Sequence, residues 1–145
     1  MLFVRLKSFI NTVLATVLVT ALLIFTQCLQ ISRFSEIEGK RTFYLQSPSS
    51  QAVVKETIAP WEIFEVEGES VSFVFEDREE TLKNILQRYG ATVLFQESAG
   101  DSVSYYCVTE KWPDGMEIGG VFVNLHIAFN GKNCAVGTPI IFGGF

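Results

Sequence analysis

The chain reads as an α+β protein, with an N-terminal transmembrane or signal helix followed by an antiparallel sheet that packs one further helix. Three observations predict this. Residues 8–32 are uncharged over 25 positions and follow a basic start with Arg5 and Lys7. Residues 77–90 show a helical apolar period between recognisable caps. The rest breaks into short β-branched and aromatic runs separated by Gly, Asn and Pro.

The uncharged stretch comes first. Phe9, Ile10, Val13, Leu14, Val17 and Leu18 begin an apolar surface that continues through Phe25, and about 20 such residues cross a bilayer as a helix. Thr12, Thr16 and Thr20 fit, because their hydroxyls can bond back to the preceding turn. A cleaved signal needs a small-x-small site, which Phe25-Thr26-Gln27-Cys28 lacks. Gln27 also stands where lipid attachment to Cys28 would require a small residue. The expectation is an uncleaved signal-anchor over residues 1–32, seated in the membrane from Phe9 to Ile31, with secretion after cleavage as the other reading. Residues 33–41 read as a polar spacer and 42–145 as one extracytoplasmic domain.

In that domain Thr42 to Gln46 is a strand candidate, Ser47-Pro48-Ser49-Ser50 a break, and Gln51 to Thr57 a weaker segment. Trp61, Ile63, Phe64 and Val66 make an apolar piece closed by a turn at Glu67-Gly68-Glu69-Ser70. Val71, Phe73 and Phe75 alternate on one strand face. Asp77 is the expected N-cap, with Glu80 three residues on. Leu82, Ile85, Leu86 and Tyr89 form one stripe, and Gly90 is the expected left-handed stop. Strands are then predicted over 92–96, 103–109, 121–129 and 134–141, the last two joined by Asn130-Gly131-Lys132-Asn133. A loop carrying Trp112 beside Pro113-Asp114-Gly115 precedes them.

From Arg33 onward the chain has 9 basic and 16 acidic residues, a formal charge of −7. Phosphate backbones are bound by Lys and Arg clusters, so nucleic acid is not expected as a partner. No calcium-loop spacing appears among the acids, no Cys/His spacing suggests zinc, and no cofactor is expected. Cys107 and Cys134 admit two readings, a disulfide in an oxidising compartment or two small buried side chains. His126 is the only histidine. It is expected on the outward face of its strand with Asn124, half-exposed, while Cys134 points inward. Trp112, Phe142 and Phe145 are either partner contacts or core cover.

Val103-Ser104-Tyr105-Tyr106-Cys107, Val123-Asn124-Leu125-His126-Ile127-Ala128 and Val136-Gly137-Thr138-Pro139-Ile140-Ile141 resemble the YwmB-like family of Gram-positive bacteria. Tyr44-Leu45-Gln46-Ser47-Pro48-Ser49-Ser50-Gln51-Ala52 looks similar to it as well. The resemblance implies an exported protein with a fold like the TATA-box-binding protein, whose repeat is strand, helix and four strands, here without the usual closing helix. It supplies no catalytic residues. The expected role is a non-catalytic binding or assembly domain at the cell envelope, with an envelope protein as partner. The other readings are a small enzyme pairing His126 with Cys107 or Cys134, and DNA binding through the sheet, which the acidic charge opposes.

Overall fold

The computed structural model describes residues 2–29, 32–46 and 52–142. The chain divides into two compact units, residues 1–32 and the rest from Arg33 onward.

The first unit is the helix α1 (Leu2–Leu29). Its side chains from Leu6 to Phe25 are exposed. The 21 residues Leu6–Thr26 are long and apolar enough to cross a membrane, with a mean hydropathy of 2.2. The Thr12 hydroxyl donates to the Ser8 carbonyl and that of Thr16 to the Thr12 carbonyl, each at 2.9 Å. The expected back-bonding therefore hides polar groups that hydrocarbon would penalise. Ile31, the expected far limit of the membrane segment, lies outside the described residues, as does the Ser47–Ser50 break.

The second unit is α+β. Its strands are β1 (Lys40–Leu45), β2 (Val53–Lys55), β3 (Val66–Val74), β4 (Ala91–Ala99), β5 (Ser102–Thr109), β6 (Met116–Ile118), β7 (Val121–Val123), β8 (Leu125–Asn130) and β9 (Asn133–Thr138). Helix α2 (Arg78–Tyr89) lies between β3 and β4, and a 3-10 helix covers Pro60–Glu65. Seven strands form one sheet in the order β2-β1-β3-β9-β8-β5-β4, every neighbour antiparallel, while β6 and β7 make a separate ribbon. The predicted strand, helix and four strands are thus β3, α2, β4, β5, β8 and β9.

Helix α2 forms as its text dictates. Asp77 accepts a hydrogen bond from the Glu80 amide at 2.8 Å, and Gly90 takes φ 59°, ψ 39° to end the helix. Ile85 and Tyr89 are buried and Leu82 and Leu86 packed beside them, against Val71, Cys107, Leu125, Ile127, Phe129, Cys134 and Val136 of the sheet. Burying a side chain of this size contributes roughly 1.5–3 kcal/mol.

Four expectations are corrected. Residues 33–41 are not a spacer: Phe34 is completely buried and Ile37 nearly so, both inside the core cluster. Two apolar residues among charges look polar on average, yet they close the end of the core that α2 leaves open. Glu67-Gly68-Glu69-Ser70 is not a turn but the first half of β3, paired with β1 and β9. Gly68 serves there as a close-approach point, since a Cβ on it would lie 2.4 Å from the Thr138 carbonyl oxygen. The strand predicted over 121–129 is interrupted at Asn124, whose buried amide bonds the Thr109 backbone at 2.8 Å from both ends and the Trp112 carbonyl at 2.7 Å. The last strand stops at Thr138, because Pro139 has no amide hydrogen to continue the ladder.

Candidate functional site

Strand alternation puts the reactive side chains on opposite faces of the sheet. Cys107 lies opposite Leu125, and Cys134 opposite Phe129, all on the face beneath α2. His126 lies opposite Tyr106 and Gly137 on the other face. The sheet itself separates either thiol from the imidazole, so the Cys–His pair of the enzyme reading is not assembled.

The thiols do not pair with each other either. Both are free and buried. Strand β8 separates them, and two strand spacings of about 4.8 Å already exceed the roughly 7 Å that a disulfide spans between Cα atoms. Of the two readings, buried apolar thiols is the one that stands. Burial pushes each up to about 12, so neither supplies a thiolate near neutrality.

His126 is buried rather than half-exposed, because the segment after β9 folds back over it. Its Nδ1 accepts the Ile141 amide hydrogen at 3.1 Å, which assigns the proton of the neutral ring to Nε2. Nε2 is buried without a hydrogen-bond partner. The ring stacks on Tyr106 at 4.5 Å between centroids and 9° between planes, and Tyr106 stacks in turn on Phe95 at 4.5 Å and 16°. Burial pulls the imidazole down to about 4. The Tyr106 hydroxyl donates to Glu97 at 3.0 Å; burial and then that carboxylate raise its pKa. Of this row of rings, His126 holds the fold's last described segment through Ile141.

Two of the three expected partner contacts are occupied by the fold. Trp112 meets Phe34 edge-on at 5.6 Å and Tyr89 at 5.2 Å, under the Arg33 guanidinium 5.6 Å from its ring. It is core cover, and Phe34, from the stretch expected to be a spacer, packs on it. Phe142 packs edge-on against Tyr44 at 5.1 Å, on the face away from α2. Beside it the Tyr44 hydroxyl shares a hydrogen bond with Ser70 at 2.7 Å. Phe145 lies outside the described residues.

The exposed aromatic groups are elsewhere. Trp61 and Phe64 are 73 % and 77 % exposed. Three residues per turn in a 3-10 helix bring them to the same side. The Lys55–Glu62 ion pair ties that helix to the edge strand β2, whose Val53 and Val54 are also exposed. Phe122, on the β6–β7 ribbon, is a third exposed ring. The spacing of three in Pro60-Trp61-Glu62-Ile63-Phe64 was the available signal for the pair.

An open cleft of about 310 Å³ lies between α2 and residues 36–38, floored by Phe73 and Ile85 and edged by Glu36, Thr81 and Arg88. Among the described residues no group of three or more His, Cys, Asp or Glu is placed to hold a metal ion. No protein-family model, no curated protein and no solved structure matches the chain.

Proposed function

We propose that this chain is a membrane-anchored, extracytoplasmic binding or assembly domain of a Gram-positive cell envelope, related to the YwmB-like proteins. The observation that carries the reading is α1, whose residues Leu6–Thr26 are long and apolar enough to cross a membrane and whose side chains from Leu6 to Phe25 are exposed. An N-terminus inside is supported by the signal-like layout, a short basic start followed by an apolar run, since Arg5 and Lys7 on one flank are balanced by Arg33, Lys40 and Arg41 on the other. The acidic second unit supports a role away from phosphate backbones.

A binding role is supported by what the sheet leaves open. Strand β4 is an edge of nine residues, and its outward backbone groups suit addition of a partner strand. The bulge between Val93 and Phe95 limits indiscriminate pairing there. An envelope protein presenting an extended segment is the partner this edge fits.

In-vivo cross-linking from positions on β4, followed by mass spectrometry, tests the reading. A discrete envelope protein captured at β4 supports it; a chain recovered only as uncomplexed monomer refutes it. Protease added to intact cells tests the topology, since residues after Arg33 should be digested from outside.

A further inference from the structure

We infer that the end of the sheet at which Arg33 joins it rests on the lipid headgroup layer, with Trp61, Phe64 and Phe122 as interfacial anchors. The inference rests on the membrane-anchored reading above.

Arg33 marks where the chain enters the folded unit, and it is tied there on several sides. Its amide donates to the Glu69 carboxylate, and its guanidinium reaches Asp114 at 2.7 Å and Thr138 at 3.4 Å. Glu69 and Thr138 are paired near the start of β3 and the finish of β9. The 3-10 helix with Trp61 and Phe64 runs directly into that start of β3 at Val66. Leu45 pairs with both Val66 and Val53, which places the exposed edge of β2 at the same end. Asp114, held by Arg33, is followed by Gly115, on which a Cβ would lie 2.4 Å from the Phe122 ring. The ring of Phe122 therefore belongs to this end too.

The opposite end is different in kind. It carries the hairpins around Gly100-Asp101 and Gly131-Lys132 and the acidic first turn of α2. Among the described large apolar residues there, Val74 is exposed, whereas Val53, Val54, Trp61, Phe64, Val121 and Phe122 are exposed at the Arg33 end. Trp and other aromatic rings partition to the bilayer interface, where an apolar body and a polar rim are both satisfied.

The chain's length explains why lipid is the occupant. Four peptide steps separate Leu29, the end of α1, from Arg33, a reach of about 14 Å when fully extended. With α1 seated in the membrane, covalent length alone keeps the Arg33 backbone within that reach of the end of the helix. Glu65, Glu67 and Glu117 are exposed around the apolar residues, and Arg33, Arg88 and Lys111 are exposed at the same end, so charges of both signs rim the surface and suit the headgroup layer.

The test uses the full chain in phosphatidylcholine vesicles. Trp112→Phe leaves Trp61 as the remaining tryptophan. Lipid brominated high on its acyl chains should quench Trp61 about twofold, and acrylamide should quench it about threefold less than free tryptophan, as for a ring at the interface. Should Trp112→Phe fail to fold, the difference between the native chain and Trp61→Phe gives the same reading at an exposed position. Trp61 fully open to acrylamide in vesicles overturns the inference. Protection found in native membranes and not in vesicles also overturns it, and assigns the surface to a protein. Alkaline carbonate extraction separates this from the anchor itself: a chain released into the supernatant refutes the membrane-anchored reading, while a retained chain with open Trp61 refutes docking alone.

Discussion

The two faces of the sheet solve the same burial problem with different side chains. Beneath α2 the strands present Val71, Cys107, Leu125, Ile127, Phe129 and Val136, and the cover is a helix plus Phe34 and Ile37. On the other face β8 and β9 present His126, Ala128, Ala135 and Gly137, and the cover near His126 is the segment that follows Thr138. A helix stands about 10 Å off a sheet and needs long side chains to fill the gap. An extended strap lies directly on the strands and needs small ones. A Cβ on Gly137 would sit 2.6 Å from Ile141. Strand β8, buried on both faces from Leu125 to Phe129, is where the two solutions meet back to back.

The contrast can be broken most severely from the helical face. Phe34→Ala should cost about 3–5 kcal/mol, the range for a truncated buried ring, read as a lower urea midpoint at unchanged slope. A variant as stable as the parent would return residues 33–41 to the status of a spacer.

The strap face should answer to acid. His126 is held at about 4 when folded, against about 6.5 when unfolded. Between those values the unfolded chain binds the extra proton, so His126's contribution is complete above pH 6.5 and disappears as pH falls toward 4. The loss is about 3 kcal/mol. His126→Gln should flatten that part of the stability–pH curve while carboxylate effects at lower pH persist. An unchanged curve would show that the strap leaves His126 wet.

Smaller effects sharpen the picture. Asp77→Ala removes the cap of α2 without touching either face and should cost about 1 kcal/mol, measured by thermal unfolding. Trp61→Ser should change stability by less than about 0.5 kcal/mol, as expected for an exposed side chain away from the core. A larger loss would mean that the 3-10 helix packs where the structure shows it open.

Legibility followed the range of the interactions. Asp77, Glu80, Gly90 and the stripe of Leu82, Ile85, Leu86 and Tyr89 are a helix written within 14 residues, and it forms as read. Val71 and Phe73 on one face of a strand, and the hairpin at Gly131, are equally local. Trp61 and Trp112 show the limit. Each sits next to a proline, Trp61 in an apolar piece and Trp112 in a loop, and the loop position makes Trp112 the expected partner contact. Phe34, 78 positions earlier, covers that ring, and nothing in the local text could report it. His126 likewise looked outward by strand parity, and parity was right about the face. What parity could not supply was the strap from 15 residues downstream that closes over it.

By itself, the sequence determined the uncharged helix, the alternation of the strands, the caps of α2 and the acidic balance, because each depends on neighbours within a turn or a hairpin. The tertiary structure alone decided which aromatic rings are covered, that the imidazole is buried as the thiols are, and that the polar-looking stretch after Ser32 gives Phe34 and Ile37 to the core. Burial is set by whatever distant chain arrives on top of a residue. A residue's own composition states only that it can be buried, and its place in the fold states whether it is.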